Sequence, residues 1–523
     1  MTQATQRITY ATMAADPNIH VEFDAAIERV KGMLGRTYPM YINGEAVTAA
    51  EQFDDRSPID TRILIGRFQQ GGREHARQAV AAARAAAPAW SATPWKERVR
   101  ILKKLCDTIR KHQYDLAAMM IYEVGKNRLE CLGDVVETAD LIEYYCDEFE
   151  RNNGYLKPMD TLGPDENNYS VLRPYGVFAV ISPFNFPFAL AGGPAGAAMV
   201  AGNTVVFKPA SDTALMGVKL AEMAQEAGLP KGVFNFITEP GRTAGQELID
   251  NSGIDGIVFT GSMEVGMKLL KDNGARPIPR PVIIEMGGKN PVIITSKADL
   301  DKASDGVYRS AFGAQGQKCS ACSRIYVSKE VRQKFVDLLV EKTKKIRIGN
   351  PLEKDVWMGP VVNEGALKTF EDAVARAKKD GGKILAGGNR IMTEPFNHGF
   401  FVEPTIIDGL PKEHALFKEE LFVPITVTGD VVTLDEAIDL ANDTEYGLTA
   451  GIFSEDEKEI ETFFNRIEAG VTYANRRSGA TTGAWPGINP FGGWKASGAT
   501  GRGTGGPWYV QQFMREQSRV HIK

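Results

Sequence analysis

The feature that most constrains the fold is a series of short apolar segments that alternates with helical segments between residues 176 and 285. Five segments have the character of buried strands, at residues 176–182, 204–208, 233–237, 256–260 and 282–285. Between two of them, residues 214–227 carry an apolar stripe at helical spacing. Continuous apolar strands joined by helices are typical of a parallel sheet covered on both faces, so we predict an α/β domain here.

The same alternation returns after Gly288 and predicts a second α/β unit. Its strands are expected near 291–295, 325–327, 400–407 and 423–428, and its helices near 299–314, 329–346, 364–380 and 433–443. Helices are also expected at 75–87, 95–123 and 128–151, a peripheral one at 21–34, and a hairpin turn at Asn43-Gly44. Residues 475–506 indicate a long loop. A chain of 523 residues is expected to form two or three domains.

Composition and charge argue against several classes of protein. The net charge is −5 and no basic tract stands out, so nucleic acid is not an expected partner. Residues 1–16 lack an apolar core, which predicts no signal peptide. Residues 174–207 carry no charge, but four prolines interrupt them, so we predict no membrane span. Five cysteines, an odd number in a long chain, favour a reducing compartment and a cytoplasmic protein.

One thiol, Cys319, lies in a run of small and polar residues between a predicted helix and a predicted strand. A cysteine attacks as the thiolate, which a neighbouring cation favours, and Lys318 could supply that cation. The structural alternative is a small buried apolar residue. Cys319 and Cys322 also form a C-x-x-C pair, but zinc needs two further ligands and no second pair is present. We therefore predict no metal site, and expect Cys322 to pack beneath the loop.

Two further residues suit the chemistry of a nucleophilic thiol. Glu285 follows three apolar residues and precedes two glycines, so partial burial is expected to raise its pKa towards that of a general base. Asn185 lies in a rigid turn between Pro183 and Pro187, where it is either an oxyanion donor or a turn former. Solvation at the surface is the structural alternative for the glutamate.

A cofactor site is predicted in the first α/β unit. Lys208 ends a strand, where it could meet ribose hydroxyls, and Ser262 opens a helix whose free N–H groups suit a pyrophosphate. Capped helix starts are the structural alternative. The glycine-rich run 501–506 is not such a site, because no strand leads into it and Pro507 follows it instead of a helix.

Together these segments resemble the NAD(P)-dependent aldehyde dehydrogenase superfamily from about Tyr38 to the C-terminus. The motifs that carry the resemblance are PFNFP (183–187), FKP (207–209), FTGS (259–262), EMGGK (285–289), GQKC (316–319), EELF (419–422) and PFGG (490–493). The resemblance implies an aldehyde dehydrogenase-like α/β fold with two Rossmann-like parallel-sheet domains plus a small oligomerisation unit. It assigns residues 1–154 and 174–286 to an NAD(P)-binding domain, 287–475 to a catalytic domain, 155–173 and 499–523 to the oligomerisation unit of a dimer or larger homo-oligomer, and 476–498 to a substrate loop.

The resemblance also implies a role for each matching residue. Cys319 would attack an aldehyde carbon, Asn185 and the Cys319 N–H would hold the oxyanion, and Glu285 would activate the water that releases a carboxylate. The implied cofactor-binding residues are Ser182, Lys208, Ser211, Gly241, Gly245, Thr260, Gly261, Ser262, Glu420 and Phe422. The implied substrate-binding residues are Phe186, Lys318, Ser320, Thr482, Gly483, Ala484 and Phe491.

Within the superfamily the chain most resembles the 1-pyrroline-5-carboxylate dehydrogenase group, which oxidises glutamate γ-semialdehyde in proline breakdown. Residues 38–45, 143–145, 317–321 and 482–484 carry this closer match. Three positions depart from the pattern. Ser211 stands where many NAD-preferring members carry Glu, so NAD is expected and NADP stays open. Val423 replaces the usual Gly after the EELF motif. The segment 476–481 is about three residues longer than expected before the loop at 482–484. Another small semialdehyde, a catalytically silent member and a coenzyme A acylating enzyme remain alternatives, the last weakened by Glu285.

Overall fold

Helices and strands alternate along most of residues 18–478 and 485–523, the part of the chain that the computed structural model describes. The helices are α1 (Ile19–Lys31), α2 (Arg73–Ala92), α3 (Trp95–Lys111), α4 (Gln113–Val124), α5 (Arg128–Arg151), α6 (Ala189–Val200), α7 (Ala214–Glu226), α8 (Thr243–Asp250), α9 (Met263–Gly274), α10 (Leu300–Phe312), α11 (Arg332–Lys344), α12 (Glu364–Lys379), α13 (Leu434–Asn442) and α14 (Glu457–Arg466). Short 3₁₀ turns lie between several of them.

The strands fall into two large sheets and three small ones. In chain order they are β1 (Arg36–Tyr38), β2 (Met40–Ile42), β3 (Glu45–Val47), β4 (Gln52–Arg56), β5 (Leu64–Gln69), β6 (Leu156–Pro158), β7 (Glu166–Pro174), β8 (Val177–Ile181), β9 (Thr204–Lys208), β10 (Phe234–Phe236), β11 (Gly256–Thr260), β12 (Val282–Glu285), β13 (Asn290–Ile294), β14 (Cys322–Ser328), β15 (Lys383–Ala386), β16 (Thr405–Asp408), β17 (Ile425–Val431), β18 (Tyr446–Gly447), β19 (Thr449–Phe453), β20 (Val471–Ala474), β21 (Trp494–Lys495) and β22 (Met514–Ile522).

The first large sheet has the order β12-β11-β8-β9-β10-β2-β3, and the five apolar segments of the sequence form its parallel strands. The antiparallel hairpin β2–β3 extends it, with Asn43 and Gly44 both at positive φ as a tight hairpin turn requires. Strand order reverses between β8 and β11. In open α/β sheets, ligands bind at the carboxyl ends of the strands at such a switch point.

The second large sheet has the order β15-β16-β17-β14-β13-β19-β20 and is parallel except for β15. Its central strands are buried along almost their whole length. The sequence predicted this second α/β unit correctly, although the strand expected at 400–407 is shorter and begins at Thr405. The chain passes from the first large sheet to the second between the end of β12 at Glu285 and the start of β13 at Asn290.

A third, smaller sheet joins the C-terminal strand to a hairpin from the middle of the chain. β22 pairs antiparallel with β7 over nine residue pairs, and β7 pairs with β6. β22 is an edge strand, and all of its side chains except Met514 are exposed. The α/β class with two parallel-sheet units and a small additional sheet is therefore confirmed.

Several sequence predictions were wrong in detail. The helical region 95–123 is two helices, because His112 leaves helical geometry between α3 and α4. The helix expected at 21–34 is α1, which begins earlier at Ile19 and ends at Lys31, and one face of it is buried, with Phe23 packed edge-on against Tyr114 of α4. The helix expected at 299–314 ends at Phe312, because Ala314 adopts a positive φ of 47°.

The uncharged stretch 174–207 forms β8, the buried helix α6 and β9. Helix α6 has only 12 residues and contains Pro194. Across the described ranges, no helix combines the length and the apolar character that crossing a bilayer requires.

Candidate active site

A cavity of about 430 Å³ opens at the carboxyl ends of β8 and β11, between the two large sheets. It brings together eight of the residues singled out from the sequence, which are Ser182, Asn185, Thr260, Gly261, Ser262, Cys319, Glu420 and Phe422. Apolar side chains such as Phe184, Leu190 and Val265 complete its wall. The position agrees with the switch point of the first sheet.

Cys319 reaches this cavity because the chain turns sharply after α10. Ala314, Gln315 and Gly316 all have positive φ, and a Cβ on Gly316 would lie 2.6 Å from the Val423 carbonyl oxygen. Only glycine fits such a close approach at a φ of +67°. The Asn290 amide donates to the Cys319 carbonyl oxygen at 2.6 Å, which fixes the backbone of the thiol residue.

The thiol of Cys319 is held in its neutral form. Burial raises its pKa well above the ordinary value, and the negative charges of Glu285 and Glu420 raise it further. The backbone N–H groups of Ser320 and Cys319 act in the opposite direction. Attack by this sulfur therefore requires a base that removes its proton.

The sequence suggested Lys318 as a cation that activates Cys319, and the charges of these two groups do interact, since the Cys319 thiolate raises the pKa of Lys318. Its Nζ is buried near Glu130 and Gly313, and it makes no hydrogen bond within the described residues. Burial lowers the pKa of this amine, so the charged form is disfavoured. Lys318 lies outside the wall of the cavity that Cys319 lines, so its influence on the thiol is electrostatic.

Glu285 ends β12 beside Thr260, the last residue of β11. Its Oε1 is buried and has no hydrogen-bond partner among the residues that the structure describes, and burial raises its pKa to about 8. The backbone of Glu285 bridges to Gly498, so the residue lies between the cavity and the C-terminal loop. The raised pKa agrees with the sequence prediction, and a carboxylate with this pKa takes up protons efficiently near neutral pH.

The turn that carries Asn185 is clamped by a buried ion pair that the sequence analysis missed. Lys126 Nζ donates to the Asn185 carbonyl oxygen at 2.8 Å and to Asp134 Oδ2 at 2.8 Å. The side chains of Lys126 and Asp134 are 1% and 0% exposed. Asp134 Oδ1 also accepts from the Ala189 N–H at the start of α6. Lys126 lies between α4 and α5 and Asp134 lies within α5, and other charged residues nearby keep this pair from standing out in the sequence.

Lys126 has a second contact on the same turn. Its Nζ lies 4.4 Å from the centre of the Phe186 ring, a cation–π contact. The ring of Phe186 is half-buried and does not line the cavity, whereas Phe184 does. The alternation of side chains along the turn thus sends Phe184 to the cavity and Phe186 to the ion pair.

The opposite wall of the cavity is formed by the segment between β16 and β17. Glu420 Oε1 accepts from the Gly288 N–H at 2.8 Å, and burial raises its pKa to about 7. A Cβ on Gly287 would lie 2.0 Å from Glu420 Oε2, so this glycine is required. Phe422 has a positive φ of 59° and places its ring edge-on to Phe184 at 5.7 Å.

A second group of polar residues lies at the carboxyl end of β9. Lys208 is buried, and its aliphatic chain passes 3.6 Å from the position of a Cβ on Gly245. Ser211 is half-buried and Gly241 is exposed on the next connection. Glu239, which the sequence analysis missed, lies between them and accepts from the Gly245 N–H at 3.3 Å. No local motif marks this glutamate.

The helix start predicted at Ser262 has the expected geometry. The Ser262 hydroxyl accepts from the Val265 N–H at 3.4 Å and caps α9. A Cβ on Gly261 would lie 2.5 Å from the ring of Phe259. Facing them, the Ser182 hydroxyl is buried without a partner in the described chain. This edge of the cavity therefore has donors available for a ligand.

The predicted substrate-binding residues are less concentrated. Phe186, Lys318, Ser320 and Phe491 lie outside the wall of the cavity. Thr482, Gly483 and Ala484 lie outside the described residues. Next to them, the Arg476 guanidinium lies 4.7 Å from the centre of the Trp485 ring.

Cys322 is buried at the start of β14, and its thiol contacts the Arg324 carbonyl oxygen at 3.6 Å. Packing beneath the loop is what the sequence predicted for it. Over residues 18–478 and 485–523, no three His, Cys, Asp or Glu side chains cluster in a way that could hold a metal ion.

Comparison with known proteins adds an independent observation. Residues 46–518 match the aldehyde dehydrogenase family. A 1-pyrroline-5-carboxylate dehydrogenase 2 of Bacillus subtilis is 36% identical over 509 residues, which cover 96% of each chain. A 1-pyrroline-5-carboxylate dehydrogenase from Thermus with bound NAD is similar in structure, with a TM-score of 0.94, 33% identity and 100% of both chains covered. An NAD-dependent aldehyde dehydrogenase from Sinorhizobium meliloti has a TM-score of 0.88 at 32% identity, with 97% of both chains covered.

Proposed function

The chain belongs to the aldehyde dehydrogenase family, and on that premise we propose that it oxidises L-glutamate γ-semialdehyde to L-glutamate with NAD(P), as a step of proline catabolism. The observation that carries the proposal is one cavity that holds Cys319 and Asn185, together with a buried Glu285 carboxyl whose charge acts on the thiol and whose Oε1 has no hydrogen-bond partner among the described residues. The substrate follows from the relatives of known name, which match nearly the whole chain.

The residues of the first sheet fit a dinucleotide. The Ser182 hydroxyl, which has no partner within the described part of the chain, and the start of α9 at Ser262 face the cavity at the switch point, where a pyrophosphate is favoured. Lys208 would bind a ribose at the end of β9, and Glu420 the other ribose at the opposite wall. Phe422 would hold the nicotinamide, which would supply the acceptor for the hydride of the substrate carbon.

In the acylation half, Cys319 loses its proton to a base and its sulfur attacks the aldehyde carbon. The Asn185 side-chain amide and the Cys319 backbone N–H hold the oxyanion that forms. Lys126 supports this step from behind, since it holds the carbonyl oxygen of Asn185 and thereby the orientation of the turn. Loss of hydride from the former aldehyde carbon leaves a thioester on Cys319.

In the hydrolytic half, Glu285 removes a proton from a water molecule, which attacks the thioester carbonyl carbon. The sulfur leaves, and the product is released as a carboxylate. A carboxyl group with a pKa of about 8 suits this role, because it binds and releases protons near the working pH. Two moderate barriers thus replace one high barrier.

We also propose a cytoplasmic homo-oligomer. The exposed edge strand β22 offers a row of unpaired backbone groups that suits pairing with a second copy of the chain. All five cysteines are free thiols, as in a reducing compartment.

The test is the formation of reduced cofactor, followed by its absorbance, with glutamate γ-semialdehyde as substrate. Cys319→Ser is expected to lower kcat by at least about a thousandfold, because the nucleophile is removed. Cys322→Ser is the matched control, since it changes a thiol three residues away that lies outside the cavity. Retained turnover in Cys319→Ser, or equal loss in both variants, would contradict the role of Cys319.

A further inference from the structure

The carboxyl end of the second Rossmann-like strand lacks a feature that is usual in such domains. An acidic residue there commonly binds the ribose 2′-hydroxyl of NAD, and its absence opens the site to the 2′-phosphate of NADP. In this chain β9 ends with Lys208, and the following turn carries Ser211. Taken alone, a cation and a small hydroxyl at this point would suit a phosphate.

The structure supplies an acid at the same place from the next strand of the sheet. Glu239 follows β10, which pairs in parallel with β9. The Ser211 hydroxyl lies 3.4 Å from the Glu239 carbonyl oxygen, so the two connections touch. The side chain of Glu239 is buried, and its charge acts on Lys208.

The Glu239 carboxylate occupies the N-terminus of α8. Its Oε1 accepts from the Thr243 N–H at 2.7 Å and also from the Thr243 hydroxyl. Its Oε2 accepts from the N–H groups of Ala244 at 2.7 Å and Gly245 at 3.3 Å. These N–H groups are the donors that a helix N-terminus would otherwise offer to a phosphate.

We propose that Glu239 makes the enzyme selective for NAD by excluding the 2′-phosphate of NADP, a selectivity that rests on the proposed function. The carboxylate uses the helix donors and adds a negative charge next to Lys208. A phosphate at this position would meet occupied donors and like charge, whereas an uncharged ribose would keep the Lys208 ammonium as a donor to its hydroxyls. Selectivity of this kind comes from repulsion of the wrong ligand.

The first test needs no aldehyde and no variant. Calorimetry compares the affinities of the unaltered protein for 5′-AMP and 2′,5′-ADP, which differ only by the 2′-phosphate. Since like charges side by side oppose binding, 5′-AMP is expected to bind at least about 30-fold more tightly. Equal affinities, or tighter binding of 2′,5′-ADP, would overturn the proposal. A failure of the proposed aldehyde oxidation would leave this binding measurement unaffected.

The second test assigns the selectivity to one residue. In Glu239→Ala the donors of α8 become free, so the preference for 5′-AMP over 2′,5′-ADP is expected to fall at least about tenfold. Glu239→Gln keeps the shape and removes the charge, and is expected to lie between Ala and the unaltered protein. Asp250→Asn, at the exposed far end of α8, makes the same change of charge and is expected to leave the ratio unchanged. If Glu239→Ala and Glu239→Gln both bind 5′-AMP and both keep the ratio of affinities for 5′-AMP and 2′,5′-ADP of the unaltered protein, Glu239 is not the residue that makes the site selective.

Discussion

The buried ion pair behind Asn185 gives the sharpest prediction about how the fold supports the chemistry. Lys126→Met keeps a side chain of similar length and removes the ammonium that contacts both Asp134 and the Asn185 carbonyl oxygen at 2.8 Å. Asp134 is fully buried, so its charge loses its ion-pair partner inside the protein. Breaking a buried pair from one side costs about 3–5 kcal/mol, and the free energy of unfolding should fall by that amount.

A catalytic loss should accompany the loss of stability. Deleting an oxyanion donor lowers kcat by about 10²–10³-fold, and here the donor is displaced but not deleted. For the Lys126→Met variant we expect a fall in kcat of about 10- to 100-fold, with a smaller change in KM. Urea unfolding followed by tryptophan fluorescence measures the loss of stability, and steady-state turnover measures the fall in kcat.

A double variant separates the two effects. Lys126→Met with Asp134→Asn has no unpaired buried charge, and the Asn oxygen can still accept from the Ala189 N–H. Most of the stability should return, while kcat stays low because the Asn185 carbonyl remains without its donor. Lys345→Met removes an exposed pair with Glu341 and serves as control, and its free energy of unfolding is expected to stay close to that of the unaltered protein. A Lys126→Met protein with an unaltered kcat and an unaltered free energy of unfolding would refute this account.

The remaining predictions concern two buried acids. Since burial raises the pKa of Glu285 to about 8, the rate of thioester hydrolysis should rise with pH through that value as the carboxylate forms. Glu285→Gln should abolish this rise and accumulate acyl-Cys319, which mass spectrometry detects. An unchanged pH profile in this variant would exclude Glu285 as the base. Burial also raises the pKa of Asp55, beside the buried Glu123, above the pKa that Asp55 has in the unfolded chain, which is near 4. The native state therefore binds more protons than the unfolded state. The free energy of unfolding should fall as pH rises above about 4. Asp55→Asn should flatten this dependence in urea titrations between pH 5 and 9, and an unaltered slope would contradict it.

The parallel strands could be predicted because a strand buried on both faces is apolar at every position. β8, β9, β11 and β12 therefore stand out locally, and their carboxyl ends mark Ser182, Lys208, Thr260 and Glu285 as candidates. The break at His112 could not be predicted, since neither glycine nor proline marks it. Local pattern determines elements better than it determines the points where they bend.

The parts of the site that escaped prediction depend on contacts distant in sequence. Lys126 holds Asn185 across 59 positions, and Glu239 reaches the β9 end from a different strand. Lys318 was expected to favour the thiolate of its neighbour Cys319, but the sequence did not indicate that burial would lower the pKa of this amine. Such relations depend on tertiary packing, which a motif does not encode.

The central claim is that this site oxidises glutamate γ-semialdehyde, and one comparison tests it most directly. Purified protein with NAD is assayed by absorbance of the reduced cofactor on glutamate γ-semialdehyde, succinic semialdehyde and propanal. We expect kcat/KM to be at least about 100-fold higher for the first, because a site built for polar groups rejects analogues that lack them. Equal or higher kcat/KM with succinic semialdehyde or propanal would contradict the proposed substrate while leaving the aldehyde dehydrogenase chemistry in place.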